Sequence, residues 1–191
     1  MRLKELAARY GLPVWMTEYW SPSYGSWTGA LSWAKTMHEL ITVGGVSAID
    51  YLWAFFGDWV PPGGSMVSIT FDHGVYQRFS YTPLYWATGQ FSRFVRPGYV
   101  RVSATPAAGT ALVSAYKGRG RLVLVAINPN AQATPVRFVV AGGHLGARVS
   151  TVRSSDKEQW AVLPPARSSG STFSATLAPG SLTTFIARVV Q

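Results

Sequence analysis

The feature that most restricts how these 191 residues can fold is a change of grammar at Arg96-Pro97-Gly98. Before it, helical and strand patterns alternate. Leu3, Leu6, Ala7 and Tyr10 keep the i, i+3, i+4, i+7 rhythm of a helix, and Gly11 with Pro13 stops it. PVWMTEYW (13–20) reads as a strand buried on both faces, the pattern of a parallel sheet. A second helix is expected from Trp27 to about Val43, with Ala30, Ala34, Met37 and Ile41 on one side and Gly44–Gly45 at its end. VSAIDYLWAFF (46–56) follows as a continuous apolar strand, and a Gly/Pro-bearing loop (57–80) leads to a third helix around Thr82–Phe94. After residue 98 come only short β-type runs, among them YVRVSA, ALVSAYKG, RLVLVAINP and SLTTFIARVV, punctuated by Gly, Pro, Asn and Ser. Their spacing is that of a β-sandwich. The expected fold is therefore α/β plus all-β, with one domain over 1–98 and a second over 99–191.

Two strands make neither a barrel nor a stable open sheet, because each edge leaves backbone groups unpaired. The first domain reads as a piece of something larger. Almost half of the residues are hydrophobic and Cys is absent, so a disulfide framework and a thiolate metal site are both excluded. That composition suits a cytosolic protein or a cysteine-poor secreted bacterial one. MRLKELAARYG is amphipathic and charged, unlike a signal peptide, and no apolar run reaches the length of a membrane span. Localisation stays open, and no membrane partner is expected.

The net charge of +9 is unevenly placed. Residues 1–98 hold seven Lys/Arg against six Asp/Glu, and residues 99–191 hold ten against two. The basic residues are scattered singly along strand-like segments, with no Lys/Arg block and no nucleic-acid module. A solvated basic surface is the expectation, not a nucleic-acid partner.

Of the eight acids, Glu18 is the most unusual, lying between Trp15–Met16–Thr17 and Tyr19–Trp20. Burying a carboxylate among aromatics costs several kcal/mol unless something compensates. Glu18 is thus either in a working cleft or a structural anion with a partner. Asp50 falls inside an apolar strand and calls for a partner; Glu5, Glu39, Asp156 and Glu158 suit solvated positions. Asp58 and Asp72 follow the second strand, and His73 in FDHG offers a hydrogen bond. Trp15, Trp20, Trp27, Trp53 and Trp59, with Tyr19 and Tyr51, gather around the expected strand ends, where aromatic faces suit the C–H faces of sugars. Phe55, Phe56 and Trp59 also suit an interface that replaces a missing wall. His38, His73 and His144 lack metal spacing, so no metal and no cofactor is expected.

WMTEYW (15–20), YWATGQFSRFVRPGYVRV (85–102) and SLTTFIARV (181–189) together resemble glycoside hydrolase family 30, which includes endo-β-1,6-glucanases, endo-β-1,6-galactanases, xylanases and glucosylceramidases. The resemblance covers essentially the whole chain but only the C-terminal half of the family's architecture. It implies that residues 1–98 are a partial, half TIM barrel, from helix 6 through helix 8 of a (β/α)8 barrel, and that residues 99–191 are most of the side β-sandwich. By the motif, Glu18 falls on the nucleophile position at the C-terminal end of barrel strand 7, where barrel active sites are built. Retaining glycosidases work with two carboxyl groups roughly 5–5.5 Å apart. The family's acid/base glutamate follows an Asn at the end of strand 4, which this chain does not contain; Asp58 and Asp72 are the secondary candidates within it. Trp20, Tyr19, Tyr51, Trp53, Trp59 and His73 would then meet a β-linked glycan. The implied partners are an even homo-oligomer, dimer or tetramer, or a separate N-terminal barrel half. The parent family is often secreted. The alternative is a non-catalytic carbohydrate-binding or oligomeric structural protein, or an inactive fragment.

Overall fold

The computed structural model describes residues 3–20, 25–57, 64–106, 109 and 111–190. They form two compact units, residues 1–85 and 86–191, and the division falls inside one helix.

The first unit begins with α1 (Leu3–Arg9), β1 (Val14–Tyr19), α2 (Trp27–Thr42) and β2 (Val46–Tyr51). Ser26 caps α2 by accepting a hydrogen bond from Gly29 N–H at 3.2 Å. The buried stripe Trp27, Ala30, Trp33, Ala34, Met37 and His38 keeps the helical period. It packs on β1 and β2, which run parallel. Trp33 is fully buried and lies against Tyr19 and Tyr51, with ring centroids 4.8 and 5.0 Å away. These two strands are not buried on both faces as the apolar run suggests: Trp15 is 60% exposed, and Asp50 is exposed too. The two-stranded sheet is covered by one helix layer, so alternate side chains on the other face stay in contact with solvent. Asp50 consequently needs no buried partner.

The expected strand 46–56 is broken. β2 ends at Tyr51, the Leu52–Trp53 peptide is cis, and β3 (Phe55–Gly57) pairs with a different sheet. That sheet holds two strands where a loop was expected, β4 (Val67–Asp72) and β5 (Val75–Tyr81), in the order β3-β4-β5. His73 and Gly74 form the two-residue turn of the β4–β5 hairpin, with φ of 48° and 78°. Positive φ at both positions is the signature of a type I′ turn.

The second unit follows from the C-terminal part of α3 (Pro83–Ser92). Its strands are β6 (Val100–Val102), β7 (Leu112–Gly118), β8 (Arg121–Asn128), β9 (Thr134–Val139), β10 (His144–Ser155), β11 (Glu158–Ser169), β12 (Thr172–Leu177) and β13 (Ser181–Val190). They join in one curled sheet, ordered β6-β7-β8-β13-β10-β11-β12-β9. The ribbon β12–β9 turns back over β13: Phe138 on β9 and Phe173 on β12 stack at 4.6 Å, and both rings meet Phe185 of β13. Around them Leu122, Leu124, Leu145, Val149 and Leu177 complete the core inside the curl. Buried Asn128 ties the end of β8 to the start of β9 and the end of β12. Its Nδ2 lies 2.9 Å from Gln132 O and from Ala178 O, and its Oδ1 accepts from Thr134 Oγ1.

The opposite face of this sheet receives α3. Buried Gln90 places Nε2 2.7 Å from Ser154 Oγ on β10, and its Oε1 accepts from Thr184 Oγ1 on β13 at 2.6 Å. Trp160 Nε1–H donates to Trp86 O at 2.9 Å.

Candidate functional site

Glu18 is the penultimate residue of β1, at the C-terminal end of the parallel pair. The register shifts around it: Met16 pairs with Ile49, and Tyr19 pairs with Tyr51. β1 therefore has Thr17 and Glu18 where β2 has only Asp50. Such an extra residue turns a side chain out of strict alternation, and Thr17 and Glu18 are both exposed in succession. The carboxylate is thus solvated, and the desolvation cost raised by its aromatic neighbours is not incurred. Leu52 N–H donates to Tyr19 O at 2.9 Å, which fixes the chain just beyond both strand ends.

The aromatic candidates divide into two groups. Tyr19 and Tyr51 are half-buried and place their rings on Trp33 under the strand ends; Tyr51 Oη also donates to Gly64 O at 3.2 Å. Trp20 and Trp53 meet edge to face at 5.7 Å, and Trp53 stacks on Phe56 at 4.2 Å. Trp20 stays 38% exposed. Trp20, Trp53 and Phe56 therefore form a wall that continues from the strand carrying Glu18, with an aromatic surface open to solvent.

Asp72 and His73 occupy the tip of the β4–β5 hairpin. Asp72 Oδ1 and His73 Nδ1 lie 2.8 Å apart, and both side chains are largely exposed. Asp58 and Trp59 lie outside the described residues. Among the described residues no group of three or more His, Cys, Asp or Glu side chains has the arrangement of a metal site, and no helix is long and apolar enough to cross a membrane.

The second unit contains a groove of about 770 Å³ along the mouth of the curled sheet, bounded by Val102–Pro106 on one side and Pro135–Gly143 on the other. Lys117 and Arg137 are its charged residues, and among the described residues no carboxylate lines it. Sequence reading did not single out Trp160, which has φ of 51°. Its signal is only a tryptophan after a charged turn, DKEQW.

No family model matches the chain. Glucuronoxylanase XynC of Bacillus subtilis (strain 168) is 32% identical over 185 residues, covering 92% of this chain and 40% of that protein. The crystal structure of Xyn30A, a glycoside hydrolase family 30 subfamily 8 xylanase from Clostridium acetobutylicum, superposes with a TM-score of 0.83 at 27% identity, covering 98% of this chain and 46% of that one. The chain is related to the xylanases of glycoside hydrolase family 30. A family 30 endoxylanase from Clostridium papyrosolvens C71 agrees, with a TM-score of 0.79, 27% identity and 44% of its own length covered. The chain thus spans less than half the length of these relatives.

Proposed function

We propose that this chain is the C-terminal part of a retaining β-glycoside hydrolase and that Glu18 is its nucleophile. On this reading residues 1–98 are a partial TIM barrel and residues 99–191 its β-sandwich side domain. The relationship to family 30 xylanases carries the proposal. The position of Glu18 supports it: a solvated carboxylate at the C-terminal end of a parallel strand, next to the Trp20–Trp53–Phe56 wall. In such a reaction the Glu18 carboxylate attacks the anomeric carbon while a second carboxyl group protonates the departing oxygen. That group then takes a proton from the water that releases the sugar. Asp72, engaged with His73 at a hairpin tip, is a poor second carboxyl group. The acid/base is then supplied by a completing polypeptide, or by a carboxylate of a second copy brought in by self-association.

Exposed apolar side chains of the first unit support a completing surface. Leu3, Tyr10, Leu12 and Trp15 are each at least 60% exposed. β-Linked xylan is the first substrate to test, because the relatives are xylanases. Once the second carboxyl group is supplied, by self-association or by a completing polypeptide, the expected result is release of reducing ends, with loss of at least about a thousandfold in Glu18→Gln. Equal hydrolysis by both would overturn the assignment of Glu18. A second reading, glycan binding without cleavage, is favoured by the exposed Trp20 ring held against half-buried Trp53. It predicts saturable quenching of tryptophan fluorescence by xylan oligosaccharides with no hydrolysis.

A further inference from the structure

The ten Lys/Arg of residues 99–191 are dispersed in sequence, yet strand register gathers four of them. Arg121 on β8 lies directly opposite Arg188 on β13. Arg148 on β10 lies directly opposite Arg167 on β11. β13 and β10 are themselves neighbours, with Leu145 opposite Val189 and Val149 opposite Ala187, so residues 146–148 face Arg188 across a register shift, Gly146 nearest it and Arg148 two residues further on. The chain neighbours of these arginines, Leu122, Ala187, Val149 and Ala166, face the core inside the curl. Alternation along a strand puts Arg121, Arg188, Arg148 and Arg167 on the opposite face, and all four are exposed. They form two directly opposed pairs on four adjacent strands, each pair at the strand spacing of about 5 Å, with the register shift of β10 between the pairs.

Among the described residues of the second unit, no acid stands beside these arginines. Of the two acids after residue 98, Glu158 accepts from Arg153 at 2.6 Å and Asp156 sits in the same β10–β11 turn, at the far end of those strands. Among the described residues none of the four arginines is in an ion pair. Like charges directly opposed destabilise a sheet, so this row stores a repulsion that a bound anion relieves. The row also ends on an aromatic ring. Gly118 lies opposite Arg121, and the Cβ it lacks would fall 2.5 Å from Tyr99 Cδ1. The Tyr99 ring therefore occupies the position beside Arg121.

We infer that this face binds a linear acidic polysaccharide, one carrying carboxylates in series. Each guanidinium offers a fork that fits a carboxylate with two parallel hydrogen bonds, and Tyr99 supplies a surface for a sugar ring at one end of the track. Grooves for single-stranded nucleic acid interleave aromatic rings with the cations so that bases can stack. Here both opposed pairs are arginine on arginine. Kinship with enzymes named for a glycan points the same way. The inference stands apart from the proposal for Glu18, because it requires no hydrolysis.

The test uses the full chain and polygalacturonate, with dextran as the neutral polymer and oligothymidylate as the nucleic-acid probe. Binding is measured by calorimetry across a salt series. The double variants Arg121→Gln/Arg188→Gln and Arg148→Gln/Arg167→Gln are compared with Arg78→Gln/Lys157→Gln, which removes the same charge from exposed positions elsewhere. Polygalacturonate should bind, more weakly as salt rises, and dextran should not. Each row variant should lose about tenfold in affinity and the control less than about threefold. The row variants should melt at or above the wild-type temperature, since opposed charges have been removed. Equal losses in the control would reduce the effect to net charge. Equal or tighter binding of oligothymidylate with the same arginine dependence would make the face a nucleic-acid surface. Absence of polygalacturonate binding at low salt, or row variants that melt well below wild type, would also overturn the inference.

Discussion

At Gly89 the missing side chain lets the Trp160 indole lie against the backbone of α3, where an added Cβ would overlap the ring at Cζ2. Trp160 is held there despite its left-handed φ of 51°. Its main-chain N–H donates to Ser154 Oγ, its indole N–H donates to Trp86 O, and Arg93 lies over the ring at 4.8 Å. Several contacts together outweigh a strain of order 1–3 kcal/mol. Gly89→Ala should therefore destabilise the second unit by about 1–3 kcal/mol through overpacking, read as a lower midpoint in urea. The Arg153–Glu158 pair is a second residue-scale device. Arg153 holds the Glu158 carboxyl below its usual range, chiefly through their hydrogen bonds. A carboxylate with a depressed folded-state pKa contributes stability above the unfolded value, about 4.3, and loses it as pH falls through the folded value. Arg153→Gln should cost roughly 1 kcal/mol at neutral pH, and its gap from wild type should close below about pH 4. Parallel denaturation curves at pH 7 and pH 3 measure this directly.

Among the elements, α3 shows most clearly how a short sequence phrase secures packing. Within GQFS, Gly89 admits Trp160, Gln90 spans two strands and Phe91 is buried. Gln90→Leu removes both side-chain hydrogen bonds. Ser154 Oγ still accepts from Trp160 N–H, and Thr184 Oγ1 still donates to Gln90 O. Because neither hydroxyl is orphaned, the expected loss is about 1–3 kcal/mol, seen in thermal or chemical unfolding. The helical stripe of α2 was legible because Trp27, Ala30, Ala34 and Met37 keep one period. The β4–β5 hairpin was not, because its turn pairs glycine with His73 and not with Asn or Asp, the residues that usually announce a type I′ turn. The break after Tyr51 was hidden as well: Leu52, Trp53 and Ala54 are apolar, and hydrophobicity does not report where a strand leaves its sheet. At the candidate site, Glu18 was legible as an acid among aromatics, but its exposure was not. That depends on a register shift between Met16 and Tyr19. The arginine row was invisible for a similar reason. Residues 121, 148, 167 and 188 become neighbours only once four strands are aligned.

For the whole molecule, the first unit leaves substantial apolar surface in water. α1 buries none of its residues, and Leu3, Tyr10, Leu12 and Trp15 are exposed. Such surface usually marks an interface. The expected solution state is a discrete dimer or tetramer, as closed self-pairing requires, and light scattering on a sizing column measures it. A monomer at all concentrations would leave a separate completing polypeptide as the partner. The order of the larger sheet adds a constraint in time. β13, the last strand in the sequence, lies between β8 and β10. Until Ser181–Val190 has been synthesised, the strands β6-β7-β8 and β10-β11-β12-β9 have no strand pairing with each other. A ribosome making this chain therefore holds two unjoined ribbons with open edges until Ser181–Val190 emerges, and that one strand joins them.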